Sequence, residues 1–486
     1  MARRTFGVHS LHPEQVTAMN AVLEGKDTIV VLPTGYGKSL IYQVPAMLIN
    51  RPTIVISPLI ALMRDQERGL RAKGVPVIRL DSTLHAETRR QVLTRLSRGG
   101  RLVVLTTPET LGAKDAQPAF RASKPGLLCV DEAHCISEWG HDFRPAYLRL
   151  GIVREELGIK TTLALTATAT PRVRDDITER LRLTTPVEVV APPTRDNLRL
   201  SVTLASGNLK IDAAGKLIRR LPRPGIIYCA TTKAVDEIFG ALTRAGIPCA
   251  RYHGGMNATD RASAQRRYMR NDRRMLMVAT SAFGMGIDKP DIRTILHYQA
   301  PGSLEQYVQE AGRAGRDGKT SDCILLFDEA DVGIQEFLQR TSRPNPSQLS
   351  RVAEALAAWA AQNQPVNDKD LALGAAVPVT TCRALVHQLE ELGIVAQDDQ
   401  KRWVSQVPAD QLRSRADELA NRFDRQKLED DRRLRAITDY SGPIDCRMRF
   451  IRMWFGESDP PRCGRCDRCR DRARVEAQHR RVQLEP

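Results

Sequence analysis

The sequence predicts an α/β protein: two tandem parallel-sheet domains, then a helical segment ending in a hairpin, then a small module with four cysteines. Three observations predict it. Between residues 25 and 185 short apolar runs alternate with stretches of helical spacing, the pattern of a parallel sheet with crossover helices. The alternation restarts after residue 208. Beyond a Pro-containing break around 340–347 it stops, and helix-patterned sequence leads to Cys446, Cys463, Cys466 and Cys469. A chain of 486 residues exceeds what one core can organise, so several domains are expected on length alone.

In the first domain, residues 1–200, the runs "DTIVVLP", "PTIVISP", "RLVVLTTP", "GLLCVDE" and "TTLALTAT" read as buried strands, with helices over 58–74 and 86–98 between them. The segment "APPTRDNLRL" (191–200) reads as the passage to the second domain, residues 201–340. There "GIIYCAT", "PCARYHG", "RMLMVAT", "TILHYQ" and "DCILLFD" are the strands. Over 347–363, Leu349, Val352, Leu356 and Trp359 share one helical face. Asn367 or Asp368 can cap a second helix through 375, and Thr380 or Thr381 a third that carries Leu385, Leu389 and Leu392 and stops at Gly393. Residues 394–404 read as a hairpin. Three helices and a hairpin over 345–406 are the order of a winged helix-turn-helix; a helical linker bundle is the other reading. A charged helix over 409–436 opens a zinc-binding helical module (407–475), and a basic tail (476–486) follows.

The net charge is +16, which suits a polyanionic partner, nucleic acid first; the plainer reading is a basic, well-solvated surface. No run approaches the ~18 apolar residues of a membrane span. The start, "MARRTFGVHSLHPEQ", has no apolar leader, so a cytosolic protein with no membrane partner is expected. Six scattered cysteines fit a reducing compartment as free thiols.

"PTGYGKS" (33–39) lies between an apolar strand and an apolar helix, the setting of a P-loop. Gly35 and Gly37 let backbone N–H groups turn in around phosphate oxygens, Lys38 offers charge to the β- and γ-phosphates, and the Ser39 hydroxyl can hold Mg²⁺. Leu32 stands where the longer form of the motif has its first glycine. "LLCVDEAH" (127–134) ends a second strand with Asp131 and Glu132. Buried acids at a strand end are unfavourable unless they meet a cation. Asp131 suits Mg²⁺, and Glu132 suits deprotonation of an attacking water. The polar loop "CISEWGHDFRP" (135–145) follows at once and sets Trp139, His141, Phe143 and Arg144 beside those acids. Its aromatic residues can stack on bases or pack into the core; Arg144 can pair with a phosphate.

These stretches, with "SPLIALMRDQ" (57–66), "TTPE" (106–109), "LTATAT" (165–170), "YHGGM" (252–256), "VATSAFGMGIDKPDIR" (278–293) and "QEAGRAGRDG" (309–318), resemble superfamily 2 helicases and most closely the RecQ family of DNA helicases, over residues 6–330. The resemblance implies two RecA-like domains and ATP-dependent 3′→5′ translocation on single-stranded DNA with duplex unwinding in DNA repair or recombination. Forked or tailed duplexes are the implied substrates and a monomer is expected. It further implies that Gln15 reads adenine, that Thr34 joins the phosphate cradle, and that Asp288 touches ribose or the cleft. Arg316 becomes an arginine finger braced by Arg313, and the loop after the acids couples single strands to hydrolysis. Leu11 and His12 replace the family's Phe-Arg, which suggests tolerance of triphosphates other than ATP.

Four closely spaced cysteines fit a closed Zn²⁺ site, and the module resembles the family's zinc module, including "FGE" (455–457). An iron–sulfur cluster is the competing reading. The family places its winged helix after the zinc module; here the winged-helix-like segment precedes it. Arg383 and His387 on its third helix, or Lys401, Arg402 and Trp403 on its hairpin, are its candidate duplex contacts; Trp403 reads equally well as core. Two other functions stay open: a DNA-stimulated ATPase that remodels protein–DNA complexes and unwinds weakly, and a non-enzymatic DNA-binding regulator.

Overall fold

The computed structural model describes residues 1–137, 143–270, 274–284, 287, 289–342 and 345–484. The first lobe contains β1 (Thr28–Val31), β2 (Pro52–Ile56), β3 (Val77–Leu80), β4 (Leu102–Thr106), β5 (Leu127–Val130), β6 (Thr162–Thr166) and β7 (Val187–Val190). They form one parallel sheet in the order β3-β4-β2-β5-β6-β1-β7. Helices cover both faces, so β1, β2, β4, β5 and β6 are buried throughout, which is why they read as unbroken apolar runs. β1, β5 and β6 run in parallel, so the P-loop, the acidic pair and "TATAT" all emerge at one edge of the sheet.

The second lobe repeats the plan with β8 (Leu198–Leu204), β9 (Gly225–Tyr228), β10 (Cys249–Tyr252), β11 (Leu276–Ala279), β12 (Thr294–His297) and β13 (Ser321–Phe327), ordered β10-β11-β9-β12-β13-β8. One assignment changes here. Residues 198–200, read as connector, belong to β8, which pairs with β13 along its whole length. The passage between the lobes therefore lies before Leu198.

Helices Pro346–Ala361, Asp368–Gly374 and Val379–Glu391 are followed by an antiparallel hairpin of β14 (Val395–Gln397) and β15 (Trp403–Ser405). Leu349, Val352, Leu356, Leu371, Leu385, Leu389 and Trp403 make a separate core. Asn367 caps the second helix by accepting from the Lys369 and Asp370 amides. The third helix departs from expectation: its N-cap is Pro378, and neither Thr380 nor Thr381 caps it.

Helix Ala409–Ser441 runs five residues past the expected end at 436 and joins these parts. At 1.5 Å per residue it is about 50 Å long. Leu412, Ala416 and Leu419 enter the core of the preceding segment, while Ile437 and Tyr440 enter that of the second lobe. The four cysteines share this second-lobe core. Among the described residues no helix is long and apolar enough to cross a membrane.

Candidate active site and metal centre

β1 delivers the chain into a loop that two glycines allow: Gly35 has φ +85° and Gly37 φ +75°, a region that other residues enter only with strain. Lys38 closes the loop on itself, its Nζ donating to the Leu32 carbonyl at 3.0 Å. Burial holds this amine below its usual value; Glu132 and Asp131 oppose that, and Arg316 reinforces it. Four charged groups from three parts of the chain thus meet at one point. Asp131, 8% exposed, is pushed up to about 7 by burial and by the neighbouring Glu132. A hard divalent cation would relieve that strain, and the oxygen donors Asp131 and Ser39 are of the right type to hold one.

Glu132 adopts φ +49°, a left-handed backbone unusual for a residue with a side chain and a mark of sites where position outweighs comfort. Among the described residues its buried Oε2 makes no hydrogen bond, and it lies 3.5 Å from His134 Nδ1. His134 Nδ1 also sits 2.9 Å from Thr166 Oγ1, and that hydroxyl donates to Thr168 O at 3.2 Å. With its one hydrogen so engaged, Thr166 accepts from His134. His134 thus stands beside Glu132 and is tied to the start of "TATAT".

The second lobe reaches this point through the turn after helix Leu304–Ala311. A Cβ added to Gly35 would lie 3.0 Å from Arg316 Cγ, and one added to Gly312 would lie 3.2 Å from Thr34 Cβ. Arg316 thus lies over the P-loop. Arg313 points the other way: it is 5% exposed and donates to Gly284 O inside its own lobe.

Sequence reasoning missed what fixes this turn. Arg195, in the passage between the lobes, donates to the Gly312 and Gly315 carbonyls at 2.8 Å, and Asn197 to Gly315 O at 2.7 Å and Lys319 O at 2.8 Å. Only the placing of "TRDN" in the connector hinted at it.

Gln15 is 2% exposed and faces the P-loop. Its Nε2 donates to Tyr36 O at 2.9 Å and Gly37 O at 3.1 Å, and its Oε1 accepts from His12 N at 2.9 Å. To read a base it would have to exchange one of these bonds. His12 stacks on Tyr36 with ring centroids 4.0 Å apart, and the Tyr36 hydroxyl donates to Glu14 at 3.0 Å.

The base of the aromatic loop is tied to the acids. Arg144 N donates to Cys135 O at 2.8 Å, Arg144 Nη1 to Pro58 O at 3.0 Å, and Tyr147 OH to Asp131 O at 3.4 Å. Phe143 is half-buried. The proposed contacts Trp139 and His141, and Asp288 in the second lobe, lie outside the described residues.

In the 345–406 segment, helix Val379–Glu391 approaches the turn Pro145–Arg149 of the first lobe. Arg383 is on the surface, paired with Asp368 at 2.7 Å. Trp403 must be corrected: it is 1% exposed, its indole N–H donates to Asp368 at 2.7 Å, and His387 packs edge-on against its ring. A ring so enclosed holds the segment together and is not available to DNA. Lys401 and Arg402 lie in the hairpin turn, Arg402 paired with Asp398.

The four cysteine sulfurs lie within 4.8 Å of one another, Cys446 to Cys463 at 3.6 Å and Cys466 to Cys446 at 3.9 Å. Tetrahedral Zn–S bonds of about 2.3 Å imply S···S separations of about 3.8 Å, so the set fits Zn²⁺.

Residues 12–177 match the DEAD/DEAH box helicase family, 209–318 the helicase conserved C-terminal domain, and 402–470 the RecQ zinc-binding family. The chain is 37% identical over 385 residues to the probable ATP-dependent DNA helicase RecS of Bacillus subtilis, covering 79% of this chain and 77% of that one. The chain belongs to the RecQ family of DNA helicases. It is also 35% identical over 469 residues to the ATP-dependent DNA helicase RecQ of the same organism, covering 96% of this chain but only 66% of that longer RecQ protein. Among solved structures, the DUF1998 helicase MrfA bound to DNA and AMPPNP superposes with a TM-score of 0.55 at 19% identity, over 84% of this chain and 61% of that one, a likeness of fold. In a RecQ-family chain the sulfur geometry and the matched zinc-binding family agree on Zn²⁺ over an iron–sulfur cluster.

Proposed function

We propose that this RecQ-family chain is an ATP-dependent DNA helicase, moving 3′→5′ on single-stranded DNA and unwinding forked or tailed duplexes in repair or recombination. The observation that carries it is Arg316 of one lobe lying on Gly35 of the other, beside Lys38, Asp131 and Glu132. A triphosphate seated in the loop is then gripped from both lobes. Lys38 holds the β- and γ-phosphates, Glu132 takes the proton of the attacking water, and Arg316 meets charge developing on the γ-phosphate. Mg²⁺, when bound, neutralises phosphate charge, with Ser39 and Asp131 as its ligands. Arg313 is a positioning residue. Gln15 would exchange a P-loop bond for the base, and Asp288 would contact ribose. Loss of the γ-phosphate frees the lobes to part, and alternating closure moves a strand held by both. The loop bearing Trp139, His141, Phe143 and Arg144, anchored to Asp131 and Cys135, reports strand occupancy to the acids. The net charge of +16 supports a nucleic-acid partner.

The 345–406 segment, read as a winged helix, would meet duplex through Arg383. A second reading, a translocase that remodels protein–DNA complexes with weak unwinding, is favoured by the hairpin, whose aromatic residue Trp403 is buried. The test is ATP hydrolysis with and without single-stranded oligonucleotide, beside displacement of a forked duplex. Stimulated hydrolysis with displacement supports the first reading, and stimulated hydrolysis without it the second. No hydrolysis in the presence of oligonucleotide rejects both.

A further inference from the structure

The zinc module and the second lobe are one body. They share an apolar core, and bonds between described residues join them: Trp454 Nε1 to Glu305 at 2.8 Å, Val202 N to Asp467 at 3.0 Å, and Tyr440 OH to Tyr307 OH at 3.2 Å. This body also meets the first lobe at a second place, away from the P-loop. Gly456 has φ +97°, and a Cβ added to it would lie 2.9 Å from Pro171 Cδ and closer still to Cγ. Beside it Arg172 pairs with Glu429 of the long helix at 3.7 Å. Pro171 and Arg172 open helix Pro171–Arg180, directly after "TATAT". A cleft of about 350 Å³, lined in part by Val31, Arg174, Arg452 and Glu457, flanks the contact. Next to this open space, the Gly456–Pro171 contact and the Arg172–Glu429 pair are where the module meets the start of that helix.

The two bodies meet where Arg316 and Gly312 face the P-loop and again where Gly456 meets Pro171, so bulk added at Gly456 pushes toward opening the P-loop contact. The proline ring cannot rotate aside as a flexible chain end would. We infer that Gly456 is a positioning residue for lobe closure: the zinc-module loop seats on Pro171 as the lobes come together, and the bare backbone at 456 sets how far they come. This rests on the nucleotide-driven closure proposed above.

The test measures the Kd of a fluorescent non-hydrolysable ATP analogue and the DNA-stimulated kcat, with zinc per chain determined alongside. Gly456→Ala is expected to weaken analogue binding about tenfold or more, as overpacking at a stiff contact does. Zinc stays bound. Pro171→Ala added to Gly456→Ala removes Cγ and Cδ and restores the Kd to within about twofold of the unmutated chain. In that unmutated chain, amide exchange across 455–457 slows when analogue and single-stranded oligonucleotide are added. A Gly456→Ala chain that binds as tightly as the parent, a double variant no better than the single one, or exchange that ignores the analogue overturns the inference. A parent chain that binds no nucleotide removes the reading on which it rests.

Discussion

Arg316 and Arg313 lie three residues apart in one turn, yet the structure gives them opposite surroundings, and their alanine variants should therefore fail differently. Arg316 lies against Gly35 and depresses the proton affinity of Lys38, so two cations converge on one phosphate position. Arg316→Ala removes the cation that arrives only with closure. The expected loss is roughly 10³-fold in kcat, about 4 kcal/mol of transition-state stabilisation. KM for ATP should change only a few-fold, because the P-loop and Lys38 remain. Thermal stability should stay near that of the parent, since the side chain is half-buried at an interface and not in a core. Arg313→Ala instead leaves the Gly284 carbonyl without its donor and opens a space in a site that is 5% exposed. An orphaned buried acceptor costs about 1–3 kcal/mol and the cavity adds to it. For a lobe of this size the melting midpoint should fall by roughly 5–10 °C. The assay pairs steady-state hydrolysis, saturated with single-stranded oligonucleotide, with thermal melting of each variant. Arg316→Ala turning over ATP like the parent would refute the shared-phosphate geometry. Arg313→Ala melting at the parent's temperature would refute the bracing role.

Further outcomes are expected. Cys446→Ser should lose the single zinc and lower the stability of the second lobe, whose core the module shares; metal analysis and melting check this, and visible absorbance in the parent would restore the iron–sulfur reading. GTP should be hydrolysed at a rate comparable to ATP, because Leu11 and His12 replace the family's Phe-Arg and Gln15 is held by the P-loop carbonyls; strict ATP dependence would refute it. Trp403→Ala should destabilise the 345–406 segment by about 3–5 kcal/mol, read as earlier proteolysis there, whereas Arg383→Glu should spare folding and reduce fork displacement more than hydrolysis. Trp139→Ala should keep basal turnover and lose most stimulation by DNA; full stimulation would make the loop structural.

The interior strands were the easiest to read from the sequence. β1, β2, β4, β5 and β6 lie inside the sheet with both faces covered, so every position is apolar. β3, β7 and β8 were not legible, and each is an edge strand; β10 is an edge strand too, but "PCARYHG" was legible. β3 carries Arg79, paired with Glu67 and Asp81; β7 alternates as "VEVV"; β8 alternates as "LRLSVTL". An edge strand meets solvent along one side and loses the continuous apolar signal. The P-loop, the acidic pair and the cysteines were legible because their chemistry is local in sequence. Arg195 was not, because its partners Gly312 and Gly315 lie more than a hundred residues away. Trp403 could be read either way until its indole met Asp368.

The same contrast bears on how hydrolysis could reach the rest of the molecule. Glu132 lies 3.5 Å from His134, His134 donates to Thr166, and Thr166 donates to Thr168 O. Three residues on, Pro171 meets Gly456 of the zinc module. A second path leaves the same acids through Tyr147 and Arg144 to the base of the aromatic loop and to Pro58. The two paths make separable demands. Thr166→Val removes the hydroxyl that joins His134 to Thr168 and leaves the aromatic loop anchored. It should therefore lower kcat without changing the oligonucleotide concentration that gives half-maximal stimulation. Were Thr166→Val to shift that concentration and leave kcat intact, the hydroxyl would belong to the strand-sensing path, and the division drawn between the two would be wrong.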